Sequence, residues 1–329
     1  MASRESRPLL GPVKADLLNE RILSIYRRLT NRLLPVCFIP ACVAFAGVTY
    51  FFLVVAPRLF VTSDQSNLRV QAVEVAIALG IGVLVAAPLM LGGLAAATYY
   101  AVRDLAKAIT GAEVTTAPGM TFARFLLTYL RPLLLALLPP IGSIAAFFGA
   151  NAFVGKDDTL STTLFFLGII GGTALAFWGL VSVFQLFGAR LILAPITLLE
   201  GKSGKAAIDR CKFLMASTFA HPAPTANVSM MLIFSGLVAL LLSLALGGVF
   251  GIVYEMTLPP ATTEGPAGVL IGRFLSAVPT LFCLWAVMPL WGATGTVVYF
   301  DRICRLEAYD IRVMAKELRE GGRRTRLLR

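Results

Sequence analysis

Histidine is almost missing from this sequence: His221, in a Pro-rich turn, is the only one in 329 residues. A metal site wants several ligands and a general base wants an orienting partner, so a lone loop His serves neither chemistry. The spacings GxxxxGK[ST], HExxH, CxxC and GxSxG are absent too, which argues against the commonest nucleotide, zinc and hydrolase sites. With no Lys inside an apolar run, neither a retinal-type nor a haem-type site is legible. No catalytic residue, metal or cofactor is expected.

Cysteine is sparse and unpaired. Cys37, Cys42 and Cys283 lie in apolar runs, and Cys211 and Cys304 in basic segments. Reduced, packed thiols fit this pattern better than a disulfide framework. Charge is scarce as well, at 14% of residues against 57% hydrophobic and a mean hydropathy of +0.81. Those values lie outside the range of soluble globular chains.

What is present in quantity is long apolar runs. Six of them, near residues 34–56, 72–102, 125–153, 159–187, 228–254 and 268–299, are each long enough to cross about 30 Å of hydrocarbon. The fold expected is all-α and polytopic, with six membrane spans. Its parts are an N-terminal segment 1–33, a membrane domain 34–300 and a charged C-terminal helix with a basic tail, 301–329.

Residues 292–318 organise the rest, because an apolar span passes there into a charged helix with no Gly or Pro at the junction. Asp301 and Arg305 form an acid-before-base pair at i,i+4, and Glu307 and Asp310 continue that surface. At the other end of the chain, Leu18, Ile22, Ile25, Leu29 and Leu33 recur at helical spacing, with Arg27 and Arg28 on the polar side. Such a helix suits the headgroup plane. A second interfacial piece is expected between Arg190 and Glu200, broken at Pro195, and a short amphipathic helix after Ser203.

Pro132, Pro139 and Pro140 should kink or split the third span, since each removes a helical hydrogen bond. The GxxxG spacings Gly168/Gly172 and Gly247/Gly251 favour close packing of helices within the chain. No cleavable signal peptide is expected, because the first 33 residues are polar and hold seven Lys/Arg.

The net charge of +11 reports topology, not nucleic acid. The N-terminal segment, residues 103–131, residues 190–227 and the C-terminal segment hold 7, 4, 5 and 9 Lys/Arg, which is 25 of the 29. By the positive-inside rule both termini face the cytosol, in a plasma membrane, the inner one in a bacterial host. The sequon Asn227-Val228-Ser229 then falls on the cytosolic side. A nucleic-acid binder would need a basic face on a soluble module, and none is present.

Three stretches carry a resemblance: LLNERILSIYRR before the first span, LAPITLLEGKSGKAAIDRCKFL after the fourth, and the closing VVYFDRICRLEAYDIRVMA. Together they resemble the bacterial family named for the membrane domain of glycerophosphodiester phosphodiesterases. The matching positions are Pro195, Glu200, Ala207 and Arg210, then Tyr299, Asp301, Arg305, Glu307 and Asp310; Ile303 and Cys211 depart from the pattern. The resemblance implies a six-helix membrane domain without the phosphodiesterase barrel, which needs paired His.

The candidate contacts to lipid headgroups or partner proteins are Arg124, Arg131, Arg190, Glu200, Arg210, Asp301, Arg302, Arg305, Glu307 and Asp310. The expected partners are anionic headgroups on the cytosolic side and other membrane subunits. The function expected is a non-catalytic scaffold or accessory subunit. A transporter or permease for a small molecule or lipid is the alternative, motivated by the Pro-broken spans.

Overall fold

Without water to satisfy it, a backbone in hydrocarbon must bond to itself, and a helix does so within one segment. The computed structural model of the chain describes residues 17–55, 77–78, 80–110, 116–151, 159–187, 190–216, 225–257 and 266–307. Among the described residues there is no strand. The helices are α1 (Leu18–Tyr50, extended by a π-helical turn Phe51–Val55), α2 (Ala87–Thr110, entered by a π-helical turn Gly82–Ala86), α3 (Phe122–Asn151) and α4 (Thr159–Phe187). Then come the three-residue α5 (Leu193–Pro195) running into a π-helical turn Ile196–Glu200, α6 (Gly204–Met215), α7 (Thr225–Thr257) and α8 (Pro266–Glu307). Six of these, α1, α2, α3, α4, α7 and α8, are long and apolar enough to cross a membrane. The protein is an all-α polytopic membrane protein.

The centre is the trio α1, α2 and α8. Helices α1 and α8 run antiparallel, stitched by Tyr26 Oη donating to the Ala286 carbonyl at 2.7 Å and Trp285 Nε1 donating to the Leu34 carbonyl at 2.6 Å. Helix α2 packs on α1 through glycine: a Cβ on Gly93 would stand 2.5 Å from the Pro40 carbonyl oxygen. Thr98, Thr294 and Thr296 each donate to the carbonyl four residues back, at 2.7 Å.

The remaining spans attach at the edges. Helix α4 packs on α3, with Gly168 against Ala150 and Gly172 against Phe147, and α7 packs on α8 with Gly247 against Ser276. Both GxxxG spacings thus seat helices inside one chain. Helix α3 stays continuous across Pro132, Pro139 and Pro140, so it is not split. The Pro140 ring lies against Gly179 of α4, where a Cβ would be 2.8 Å away.

Two expectations are corrected. The face formed by Leu18, Ile22, Ile25 and Leu33, suited to headgroups, is buried against protein because α1 continues unbroken into its span. The piece between Arg190 and Glu200 is not interfacial either. Ile192, Ile196 and Leu198 are fully buried, with Leu191, Leu193 and Ala194 close to it, and they form a plug against α8 and α2. Its backbone is held by the Ala117 amide donating to the Leu198 carbonyl at 3.0 Å.

Candidate functional site

The plug delivers Glu200 to one end of the bundle, where α1 begins and α8 ends. Gly201 reverses the chain there with φ +70°, a conformation that favours glycine, and a Cβ would press on Ala117 at 2.9 Å. Helix α6 then runs back beneath the end of α8.

Glu200 is held from three sides. Arg210 Nε donates to both carboxylate oxygens at 3.1 and 3.0 Å, Lys202 Nζ lies 2.8 Å from Oε2, and Tyr299 Oη donates to Oε1 at 3.0 Å. Arg210 also reaches across to α8, with Nη2 2.6 Å from Glu307 Oε1. Its guanidinium lies 5.6 Å from the centre of the Phe213 ring. Two carboxylates and two cations close the cluster at formal neutrality.

Burial alone pushes the Glu200 carboxyl up, but hydrogen bonds from Lys202, Arg210 and Tyr299 and the Arg210 charge outweigh it, leaving it below its usual value. Arg210 loses basicity to burial and regains more from Glu307 and Glu200, ending above its usual value.

Next along α8, Arg305 Nε pairs with Asp301 Oδ2 at 2.8 Å, the i,i+4 pair read from the spacing. Arg302 is different. It is 1% exposed, and its guanidinium donates to the Leu214 carbonyl at 2.5 Å and the Ala216 carbonyl at 2.6 Å. Those are orphan carbonyls at the C-terminal end of α6, where the helix dipole also favours a cation. Arg302, expected among headgroup contacts, is a buried cap holding α6 under α8.

Of the other candidates, Arg190 is half-buried and near enough to Cys211 to act on its thiol electrostatically. Arg124 and Arg131 are exposed on α3, where Arg124 Nη1 donates to the Gly119 carbonyl at 3.3 Å. Neither is among the ion pairs of the described residues. Asp310, His221 and the basic tail lie outside the described residues. Sequence reading did not single out Lys202, or Arg21 of α1, whose charge interacts with Asp301. Among the described residues no group of three or more His, Cys, Asp or Glu could hold a metal ion.

The arrangement can tie four pieces of chain together at one end of the bundle: α1, the plug, α6 and α8. Both Glu200 oxygens and the Arg210 Nε and Nη2 are engaged within the cluster, while the Lys202 side chain stays 42% exposed.

No protein family, curated protein or solved structure matches this chain.

Proposed function

We propose that the protein is a non-catalytic scaffold or accessory subunit of a membrane assembly, with its basic end in the cytosol. The observation that supports this reading is the closed, neutral cluster around Glu200 and Arg210, which engages the best candidate residues in joining helices to one another. Helices α4 and α7 meanwhile present large side chains outward, among them Phe166, Phe177, Trp178 and Phe234. Apolar faces of that extent suit lateral association in the bilayer as well as lipid. The resemblance to the phosphodiesterase membrane-domain family fits this reading, and so does the concentration of 25 of 29 Lys/Arg in alternate connecting segments of the sequence.

Photocrosslinking from Phe177 and Phe234 positions in native membranes tests the reading. A protein adduct of defined mass, copurifying stoichiometrically in mild detergent, is the expected result; lipid adducts alone would remove the reading.

A second reading, a transporter for a small molecule or lipid, is favoured by one feature. A cavity of about 440 Å³ lies between α1, α7 and α8, away from the charged end, with Thr49, Ser243, Ser276 and Thr280 in its wall. The Thr49 Oγ1 is buried there without a hydrogen-bond partner. Flux into vesicles that is lost on Thr49→Val would favour this reading over the first.

A further inference from the structure

A second recess lies on the side of the bundle nearer the basic end. It is a groove of about 630 Å³ between α1, α2 and α3, open to the bilayer. Its walls include Val36, Ile39 and Val43 of α1 and Gly92 and Ala96 of α2. Along α2 it runs from Pro88 to Tyr100, roughly 18 Å at 1.5 Å per residue, a length suited to an acyl chain. Tyr100 stacks on Phe122 at 5.9 Å, and the two rings close the groove toward the basic end.

The charge around that end is of one dominant sign. On α1 the stripe Val43, Ile39, Val36 continues at helical spacing to Arg32 and Arg28, both exposed. On α2 the stripe Ala96, Tyr100 continues to Arg103, whose guanidinium lies 5.8 Å from the centre of the Tyr100 ring. Asp104 lies beside it, 3.2 Å from Arg103 Nε, in a pair that is half-exposed on the Arg side and therefore weak. Arg28 and Arg32 join none of the ion pairs of the described residues.

We infer that this groove binds one anionic phospholipid of the leaflet at the basic end. One acyl chain lies along Gly92 and Ala96, and the phosphate is met by Arg32 and Arg103 at the rim. The apolar length takes the chain, and guanidinium groups suit phosphate oxygens. Basic residues next to the bilayer surface favour anionic over zwitterionic lipid by about fivefold each. This holds whether or not the protein is an accessory subunit, because it rests on the groove and its rim alone.

The neighbouring glycines supply the test. A Cβ on Gly93 would collide with α1, but one on Gly92 meets nothing within 4 Å. Gly92→Phe therefore fills the groove without parting the helices. The full-length protein in mild detergent is titrated with phosphatidylglycerol or phosphatidylcholine of matched chains, and bound lipids are counted by native mass spectrometry.

The wild type should retain one phosphatidylglycerol, preferred at least tenfold over phosphatidylcholine. Gly92→Phe should lose it at an unchanged melting temperature. The double variant Arg32→Gln/Arg103→Gln should keep a lipid but lose the preference, whereas Lys205→Gln/Lys212→Gln, exposed on α6, should change neither. Equal retention of the two lipids by the wild type, or a preference that survives loss of Arg32 and Arg103, would overturn the inference. If Gly92→Phe fails to fold, the arginine pair still decides.

Discussion

Helices α2 and α7 are both apolar enough to cross a bilayer, and α7 is the more apolar of the two. Yet 44% of the most apolar stretch of α2 is buried inside the protein, against 11% for α7. In water the order would be reversed, because the most hydrophobic element would be driven to the centre. In lipid no such force exists between helices, and the interior goes to the surfaces that allow backbones to approach. Helix α2 offers Gly93, Ala97 and Ala101 to its neighbours, and α7 offers leucines to the lipid. Small residues decide which span is central.

The sharpest way to break that comparison is to put bulk where α2 has none. Gly93→Leu would place a Cβ 2.5 Å from the Pro40 carbonyl and 2.7 Å from the Ala44 amide, both backbone atoms that cannot step aside. We expect a loss of about 3 kcal/mol or more and a steep fall in melting temperature in detergent. Gly236→Leu on α7, where nothing lies within 4 Å, should change stability by no more than about 0.5 kcal/mol. Equal effects at the two sites would refute the division into central and peripheral helices.

The same contrast separates the charged end from the peripheral spans. Arg210→Ala leaves Glu200 and Glu307 facing one another with a lost partner, at side-chain exposures of 16% and 28%. Removing half of a fully buried pair costs about 3–5 kcal/mol; with water still reaching Glu307, about 2 kcal/mol is expected here. A double-mutant cycle with Glu307→Gln should show coupling, and strict additivity would mean that α6 and α8 are not joined through this pair.

Much of this was legible in advance. Run length gave six spans, and the spacing of Asp301 and Arg305 gave their pair. The plug was misread because an apolar run bracketed by Arg190 and Glu200 looks alike whether it lies on headgroups or inside protein. One signal was available: LILAPITLL has no polar face at all, and an interfacial helix needs one. Arg302 was misread because its charge was weighed without its neighbours. From Gly292 to Cys304 every residue of α8 is buried, so no periodic face marks Arg302 as internal, and a buried cation requires acceptors. Lys202 and Tyr299 converge on Glu200 only because Gly201 reverses the chain, and a one-residue turn has no periodic signature.

Acid offers a gentler probe of the charged end. The folded-state carboxyl of Glu200 sits below its unfolded value of about 4.3. Its contribution is therefore present above that value and lost as pH falls through the folded pKa. The melting temperature should be level from neutrality to about pH 5 and decline as the pH falls below about 4. Arg210, shifted upward, loses its proton only at still higher pH and adds no alkaline limb in the working range. In Glu200→Gln the acid decline should be shallower; an identical decline would assign it to other carboxylates.

The smallest effect expected is chemical. Cys211 sits on α6 beside Arg210, and its thiol is pushed up to about 12, chiefly by burial, with Arg190 pulling the other way and Glu200 adding to the rise. At pH 8 only about one thiol in ten thousand is then ionised, and the thiolate is the form that reacts. Phe213, two residues along the same helix, is 57% exposed, so Phe213→Cys should label with maleimide within minutes while Cys211 does not. If the cluster is what keeps α6 seated, Arg210→Ala should raise Cys211 labelling and leave the Phe213→Cys rate unchanged. Fast labelling of Cys211 in the intact protein would mean that α6 leaves its place under α8 without any help from mutation, and that the charged end is as loosely held as the peripheral spans.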